Sequence, residues 1–175
     1  MRAEKISDEK IRNEKRKSER SLEILDKDEV KKFQEIVDKN YKSSFELKDF
    51  GVMLGSEERI WLAARDVFSF DFSKLPVNSI GMNFGKLKRN GKFRLTIEGS
   101  QLVGRTAERT VAIVSDNDAE SFLRGEDVNI LQAIDCEEHT FVILKTESGI
   151  ILGSALFAEG KMKNLLPKSR RIQYA

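Results

Sequence analysis

The sequence holds one cysteine and one histidine, and their spacing makes them the first candidates for catalytic or metal chemistry. Cys136 and His139 form a Cys-x-x-His pair. A structural zinc ion takes four ligands, so this pair does not make a zinc site. A nucleophilic cysteine needs a base and an orienting group that the fold brings together, and no orienting group is identifiable. We therefore predict no metal ion, no cofactor and no catalytic residue.

Motifs for nucleotide-dependent catalysis are also missing from the sequence. There is no Walker-type phosphate loop and no Gly-x-Gly-x-x-Gly opening a helix. The carboxylates form no recognisable acid–base pattern. These observations predict that the protein is not an enzyme and that it functions by binding.

The C-terminal stretch "GSALFAEGKMKNLLPKSRRI", residues 153–172, is the clearest binding candidate. It runs from an apolar strand into five cations, and no acid follows Glu159. Lys and Arg side chains supply sequence-independent contacts to RNA phosphates. Pro167 should fix the direction of the chain, and a glycine inside an apolar strand indicates a bulge or a close approach. The predicted RNA-binding residues, called the basic hook here, are Lys161, Lys163, Lys168, Arg170, Arg171 and Gly153. A solubilising C-terminus is the alternative.

A second basic surface is predicted on a hairpin in "SIGMNFGKLKRNGKFRLTIE". A three-residue loop, 89–91, pairs Leu87 with Phe93 and Lys86 with Arg94. This register separates an apolar face from a basic face and puts Gly91 in the left-handed position of a bulge. The basic face, called the hairpin stripe here, would carry Phe84, Lys86, Lys88, Lys92 and Arg94. It is either a solvated face or a secondary surface for RNA or a partner.

The elements that must position these residues predict an α+β fold. Helical spacing of apolar residues in the stretch 26–41 indicates a helix capped by Asp26 or Asp28. Two strands should follow around a Gly-Ser turn, and a short helix should end before Pro76. Further on, we expect a strand at 109–115 and a helix with a capping box of Asn117 and Glu120 that Gly125 closes. Apolar runs at 128–134 and 141–158 predict more strands.

Composition sets the limits on domain organisation and location. Hydrophobic residues make up 39%, charged residues 34%, and the net charge is +2, so electrostatic binding must come from clustered charges. Residues 1–20 carry little to bury and should form a disordered tail or a frayed helix. We place an N-terminal domain at 21–104 and a C-terminal domain at 105–175. Without a signal peptide or an apolar span, we expect a cytoplasmic protein that binds no membrane.

Two stretches, "AIVSDNDAESFLRGEDV" and "GIILGSALFAEGKMKNLLPKSRRI", resemble a PUA domain, the compact RNA-binding β-barrel of RNA-modifying enzymes and ribosome factors. Phe84-Gly85-Lys86 and Lys92-Phe93-Arg94-Leu95 upstream resemble the large-ribosomal-subunit biogenesis PUA family. That family comprises small two-domain nucleolar factors of eukaryotes and their archaeal homologues. The resemblance covers residues 22–175. The basic C-terminus and the Lys/Glu richness favour an archaeal source, whereas a eukaryotic member would be nucleolar.

The resemblance implies an N-terminal α+β domain with an antiparallel sheet, followed by a C-terminal PUA β-barrel. It implies a non-catalytic protein that binds pre-rRNA or single-stranded RNA in ribosome biogenesis or rRNA processing. Ribosome-assembly or RNA-exosome proteins would be its protein partners. Two alternatives remain: an RNA-modifying enzyme or its RNA-targeting module, and a protein-interaction adaptor with a vestigial PUA domain.

Overall fold

The computed structural model describes residues 22–69, 80–88 and 90–173. In these ranges the chain forms an antiparallel sheet, a second sheet that curls into a half-barrel, and three α-helices, so the predicted α+β class is confirmed. The predicted tail, residues 1–20, lies outside the described residues. Across the described ranges, no helix is both long enough and apolar enough to cross a membrane. The domain limits proposed from the sequence stay a prediction.

The first sheet is antiparallel in the order β1-β2-β3-β4-β5. Its strands are β1 (Glu23–Ile24), β2 (Gly51–Gly55), β3 (Arg59–Ala63), β4 (Met82–Leu87) and β5 (Phe93–Leu95). Helix α1 (Lys27–Tyr41) buries Phe33, Val37 and Tyr41 in the core that backs this sheet. Asp26 caps α1, and Glu29 completes a capping box with it.

The second sheet has the order β7-β11-β10-β9-β6-β8, with β6 and β9 parallel and the other pairs antiparallel. Its strands are β6 (Val111–Val114), β7 (Val128–Asn129), β8 (Gln132–Ile134), β9 (Thr140–Thr146), β10 (Ile151–Ala158) and β11 (Lys161–Asn164). Helix α3 (Asp116–Arg124) closes at Gly125, whose φ is +101°. Its buried Phe122 joins a core with Val142, Leu144 and Met162.

The two sheets meet through helix α2 (Ile97–Val103) and a shared core. Thr96 caps α2, and α2 packs against β10 of the second sheet. Val111 and Ile143 of the second sheet lie in the same buried cluster as Phe84 and Phe93 of the first. Burial of these side chains on one another holds the sheets together by the hydrophobic effect.

Two local predictions in the second half of the chain were wrong. Helix α3 is capped by Ser115, not by Asn117, because the Ser115 hydroxyl accepts from the Asp118 amide at 3.1 Å. The apolar run at 128–134 is not one strand. It divides into β7 and β8, which lie at opposite edges of the sheet. Of this run only Val128 is buried, so the apolar composition indicated strand structure but could not show where the chain crosses from one edge to the other.

Candidate nucleic-acid interface

The C-terminal segment is anchored to the body of the protein. Leu166 is 3% exposed and joins the core of the second sheet. Pro167 precedes a 3-10 turn, Lys168–Arg170, and the Ile172 amide then donates to the Leu123 carbonyl of α3 at 3.0 Å. The basic hook therefore leaves the sheet in a defined direction, as the position of Pro167 predicted.

Two cations of the hook, Lys163 and Arg170, have acid partners, although no acid follows Glu159 in the sequence. The Lys163 Nζ lies 3.1 Å from a Glu159 carboxylate oxygen and 3.4 Å from one of Asp127. The hydrogen bond to Glu159 is the main cause of the raised pKa of Lys163. Arg170 donates to Glu98 of α2 at 2.6 Å. The absence of acids after Glu159 could not reveal these partners, because Asp127 and Glu98 come from earlier in the chain.

Arg171 lies against the protein surface. Its Nε donates to the Leu166 carbonyl at 3.2 Å. The Arg171 side chain covers the end of α3, because a Cβ added to Gly125 would lie 2.5 Å from the guanidinium carbon of Arg171. Lys161 and Lys168, by contrast, are exposed. In the described residues no acid forms an ion pair with either of them.

Gly153 sits in a β-bulge of β10, as predicted. The pairing with β9 shifts register between Ile151 and Gly153, and Gly153 has a φ of +136°, which disfavours other residues. Its α-carbon faces Ile97 of α2: an added Cβ would lie 3.4 Å from that side chain. Gly153 is buried, so a direct RNA contact through it is not supported.

The hairpin register is confirmed, but the placement of Phe84 was wrong. Leu87 pairs with Phe93 and Lys86 with Arg94, and Gly91 has a φ of +75°. Phe84, expected among the cations, is 0% exposed and packs on Phe45 with ring centroids 5.5 Å apart. The register of β4 against β3 shifts between Gly85 and Asn83, which makes Phe84 the extra residue of a bulge. The bulge reverses the alternation and turns Phe84 into the core.

Three of the four cations of the hairpin stripe contact the second half of the chain, and the fourth, Lys86, pairs with Glu57. Lys88 and Arg94 lie over the ring of Phe141 in β9, at 5.6 and 5.9 Å from its centroid. Arg94 donates to the Leu165 carbonyl at 3.0 Å, and Lys92 donates to the Thr140 hydroxyl at 2.9 Å. Burial lowers the pKa of Lys88 and of Arg94. The stripe is thus largely a contact between the two sheets.

Comparisons with known proteins establish the nature of the second sheet. Residues 110–172 match the family described as "Methyltransferase RsmF PUA domain". The chain carries a PUA domain. The cations of the basic hook therefore lie on and beyond the last strand of this PUA domain, and the hairpin stripe lies outside the domain. No curated protein sequence matches the chain significantly.

Two solved structures share the fold over most of the chain. A conserved PUA domain protein from Thermoplasma acidophilum has a TM-score of 0.52 and 12% identity, and the match covers 79% of this chain and 80% of that one. A hypothetical protein from the hyperthermophilic archaeon Pyrococcus horikoshii OT3 has a TM-score of 0.52 and 14% identity. The match covers 80% of this chain and 84% of that one. At these identities the likeness establishes the fold.

Within the PUA domain, Cys136 and His139 are not arranged for chemistry. The Cys136 thiol donates to the Val111 carbonyl at 3.3 Å, and burial raises its pKa to about 11. Such a thiol stays protonated at neutral pH and is a poor nucleophile. His139 is exposed. In the described part of the chain, no group of three or more His, Cys, Asp or Glu side chains could hold a metal ion.

Sequence reasoning missed a cavity of about 630 Å³ between the first sheet and the PUA domain, called the junction cavity here. Asn83 of β4, the start of α2, Ser154 of β10 and the C-terminal segment all line it. Arg94 and Arg170, predicted for two separate surfaces, both line it. No sequence signal could have found it, because its lining comes from elements far apart in the chain.

Proposed function

We propose that this protein is a non-catalytic RNA-binding protein of large-subunit ribosome biogenesis or pre-rRNA processing, and that its PUA domain holds the RNA. The observation that carries the proposal is the anchored C-terminal segment, which presents exposed Lys161 and Lys168 on a domain type that generally binds RNA. The fold match to a PUA domain protein supports the same assignment.

The exposed lysines suit phosphate contacts for an energetic reason. A cation that already has a protein partner must give up that ion pair before it can contact a phosphate, whereas an exposed cation only releases water. Lys161 on β11 and Lys168 in the following turn should therefore contribute most of the salt-dependent affinity. Arg170 and Lys163 already hold Glu98 and Glu159, so each should contribute less than an exposed lysine without an acid partner.

A salt series on paired variants tests this site. Removing one phosphate contact to a single strand reduces the slope of log affinity against log salt by about 0.7. The Lys161→Ala/Lys168→Ala variant should therefore bind RNA more weakly and show a slope flatter by about 1.4. Lys31→Ala/Lys32→Ala, which removes the same charge from an exposed part of α1, is the matched control and should leave the slope unchanged. Equal slopes for wild type and the hook variant would refute the site.

The ribosomal role needs a separate experiment in cells. Crosslinking the protein to RNA and sequencing the adducts should recover precursor rRNA of the large subunit. Protein partners of ribosome assembly or the RNA exosome should copurify. Enrichment of transfer RNA or messenger RNA without precursor rRNA would refute this role while leaving RNA binding intact.

A second candidate function is RNA targeting for a methyltransferase, because the matching family takes its name from one. This candidate predicts that a methyltransferase subunit copurifies, or that the chain itself binds S-adenosylmethionine. Calorimetry with S-adenosylmethionine and mass spectrometry of copurified proteins would separate it from the assembly-factor proposal.

A further inference from the structure

The junction cavity has the size of a small-molecule site. Its volume is about 630 Å³, within the range of roughly 300–1,000 Å³ that ligand sites occupy. Residues of β4, β5, α2, β10 and the C-terminal segment line it, so it lies where the two sheets meet. Clefts between packed units are common places for ligand sites.

Two buried polar atoms in its lining lack hydrogen-bond partners. Among the described residues, the buried side-chain oxygen and nitrogen atoms without a partner are Asn83 Oδ1 and Ser154 Oγ. Ser154 is 5% exposed, and both residues line the junction cavity. An unsatisfied buried polar group costs folding free energy, and most native proteins avoid it. Two such atoms in one cavity indicate a ligand that supplies their hydrogen bonds.

The charges of the cavity favour an anion. Four cations line it: Arg59, Lys86, Arg94 and Arg170. Only two acids form ion pairs with them in the described structure, Glu98 with Arg170 and Glu57 with both Arg59 and Lys86. The excess positive charge and the three guanidinium groups suit a phosphate, because guanidinium donors match phosphate oxygens in pairs.

We propose that the junction cavity binds one phosphorylated nucleotide. The cations hold its phosphate, and Asn83 Oδ1 and Ser154 Oγ bond to its base or sugar. Asn83 Oδ1 is an acceptor, so it requires an amino or hydroxyl group, and both occur on nucleotides. The nucleotide is either the end of an RNA strand or a free mononucleotide. The proposal does not depend on the exposed lysines of the basic hook, Lys161 and Lys168, which do not line the cavity.

Calorimetric titration of the whole chain tests the site directly. The probes are AMP, GMP, CMP and UMP, the four matching nucleosides and inorganic phosphate. At least one mononucleotide should bind with one-to-one stoichiometry and at least about fivefold tighter than its nucleoside or phosphate alone, as expected for roughly one further hydrogen bond. Binding by phosphate as tight as by every nucleotide would overturn the proposal, as would no binding at all.

A serine variant separates ligand recognition from folding. Ser154→Ala removes an unsatisfied buried hydroxyl, so its melting temperature should equal or exceed that of wild type, while nucleotide affinity falls about fivefold. Ser44→Ala, at an exposed serine outside the cavity, is the matched control and should change neither. Unchanged nucleotide affinity in a folded Ser154→Ala protein would refute the site.

Competition identifies the source of the nucleotide. If the mononucleotide displaces an RNA oligonucleotide, the cavity holds an RNA end. If both bind together, it holds a free nucleotide. The Lys161→Ala/Lys168→Ala variant should keep wild-type mononucleotide affinity, so failure of the hook and failure of the cavity give different results. Loss of mononucleotide binding in that variant would contradict the proposed cavity.

Discussion

The basic hook and the hairpin stripe look alike in sequence and differ in the structure. Both are clusters of Lys and Arg next to apolar strand residues. In the hook, Lys161 and Lys168 stay exposed on an anchored segment. In the hairpin, Lys88, Lys92 and Arg94 turn onto β9 and the C-terminal segment. A cluster of charge therefore does not by itself identify a binding surface, because its partner can lie inside the same chain.

The difference has an energetic basis. An exposed lysine loses little on folding, since it keeps its water. Arg94 gives up water and regains contacts from the Leu165 carbonyl and the Phe141 ring. Such a residue stabilises the junction of the sheets. The hairpin and the hook should therefore respond oppositely when stability and RNA affinity are both measured.

The largest expected effect tests whether Phe84 of the hairpin packs in the core rather than serving a binding surface. Phe84→Ala should lower the free energy of unfolding by about 3–5 kcal/mol, because it removes a fully buried ring that packs on Phe45 and Phe93. Urea denaturation measures the change. Phe84→Leu is the control and should retain most of the stability. A stable Phe84→Ala protein with weakened RNA binding would restore the predicted place of Phe84 on a binding surface and break the comparison.

Much of the fold was predictable because its signals are local. The register of the 89–91 loop follows from the need to keep Leu87 and Phe93 on the apolar face, and the structure has that register. Helix α1, its Asp26 cap and Gly125 at the end of α3 follow from capping chemistry. The PUA domain followed from short motifs in the second half of the chain.

Three of the failures depend on contacts between parts of the chain that are distant in sequence. Phe84 turned inward because of a bulge against β3, which the sequence of β4 does not reveal. Lys163 pairs with Asp127 and Arg170 with Glu98, and each acid precedes its partner by more than 30 residues. The junction cavity is the extreme case, since Asn83 and Ser154 are brought together only by tertiary packing.

The next largest effect compares one buried and one exposed cation. Arg94→Ala should cost about 1.5–3 kcal/mol of stability, the range for a hydrogen bond from a charged group. Lys161→Ala should change stability by no more than about 0.5 kcal/mol, as for most surface substitutions. Arg94→Lys should rescue only in part, because an ammonium lacks the planar donors. Equal small losses measured by urea denaturation would show that the hairpin cations are merely solvated.

Within the hook, the free and paired lysines should also differ. Lys161→Ala should flatten the salt slope of RNA binding by about 0.7, and Lys163→Ala by less, because Lys163 must first leave Glu159. Glu159→Gln should leave Asp127 as the remaining acid partner of Lys163 and strengthen RNA binding. Fluorescence anisotropy across a salt series measures all three variants. If Lys163→Ala flattens the slope as much as Lys161→Ala, internal ion pairs do not limit phosphate contact.

The smallest expected effect concerns Glu57, the acid that pairs with Lys86 of the hairpin stripe. The Glu57 carboxylate accepts from Lys86 at 2.9 Å, and this hydrogen bond, with the nearby charges of Lys86 and Arg59, lowers the pKa of Glu57. An unpaired glutamate titrates near about 4.3, so the ion pair contributes its stability above that pH. The contribution is lost as the pH falls through the lower pKa of the folded state.

Carboxyl NMR titration of Glu57 measures that shift. We expect a midpoint below the ordinary glutamate value in wild type and a return towards it in Lys86→Met. Lys31→Met, in α1, removes the same charge away from Glu57 and is the matched control. Because Glu57 is exposed, the loss of the pair should barely change the unfolding midpoint at neutral pH. If Lys86→Met leaves the titration midpoint of Glu57 unchanged, Lys86 does not form this ion pair in solution. The stripe would then offer RNA an available cation, as the hook does.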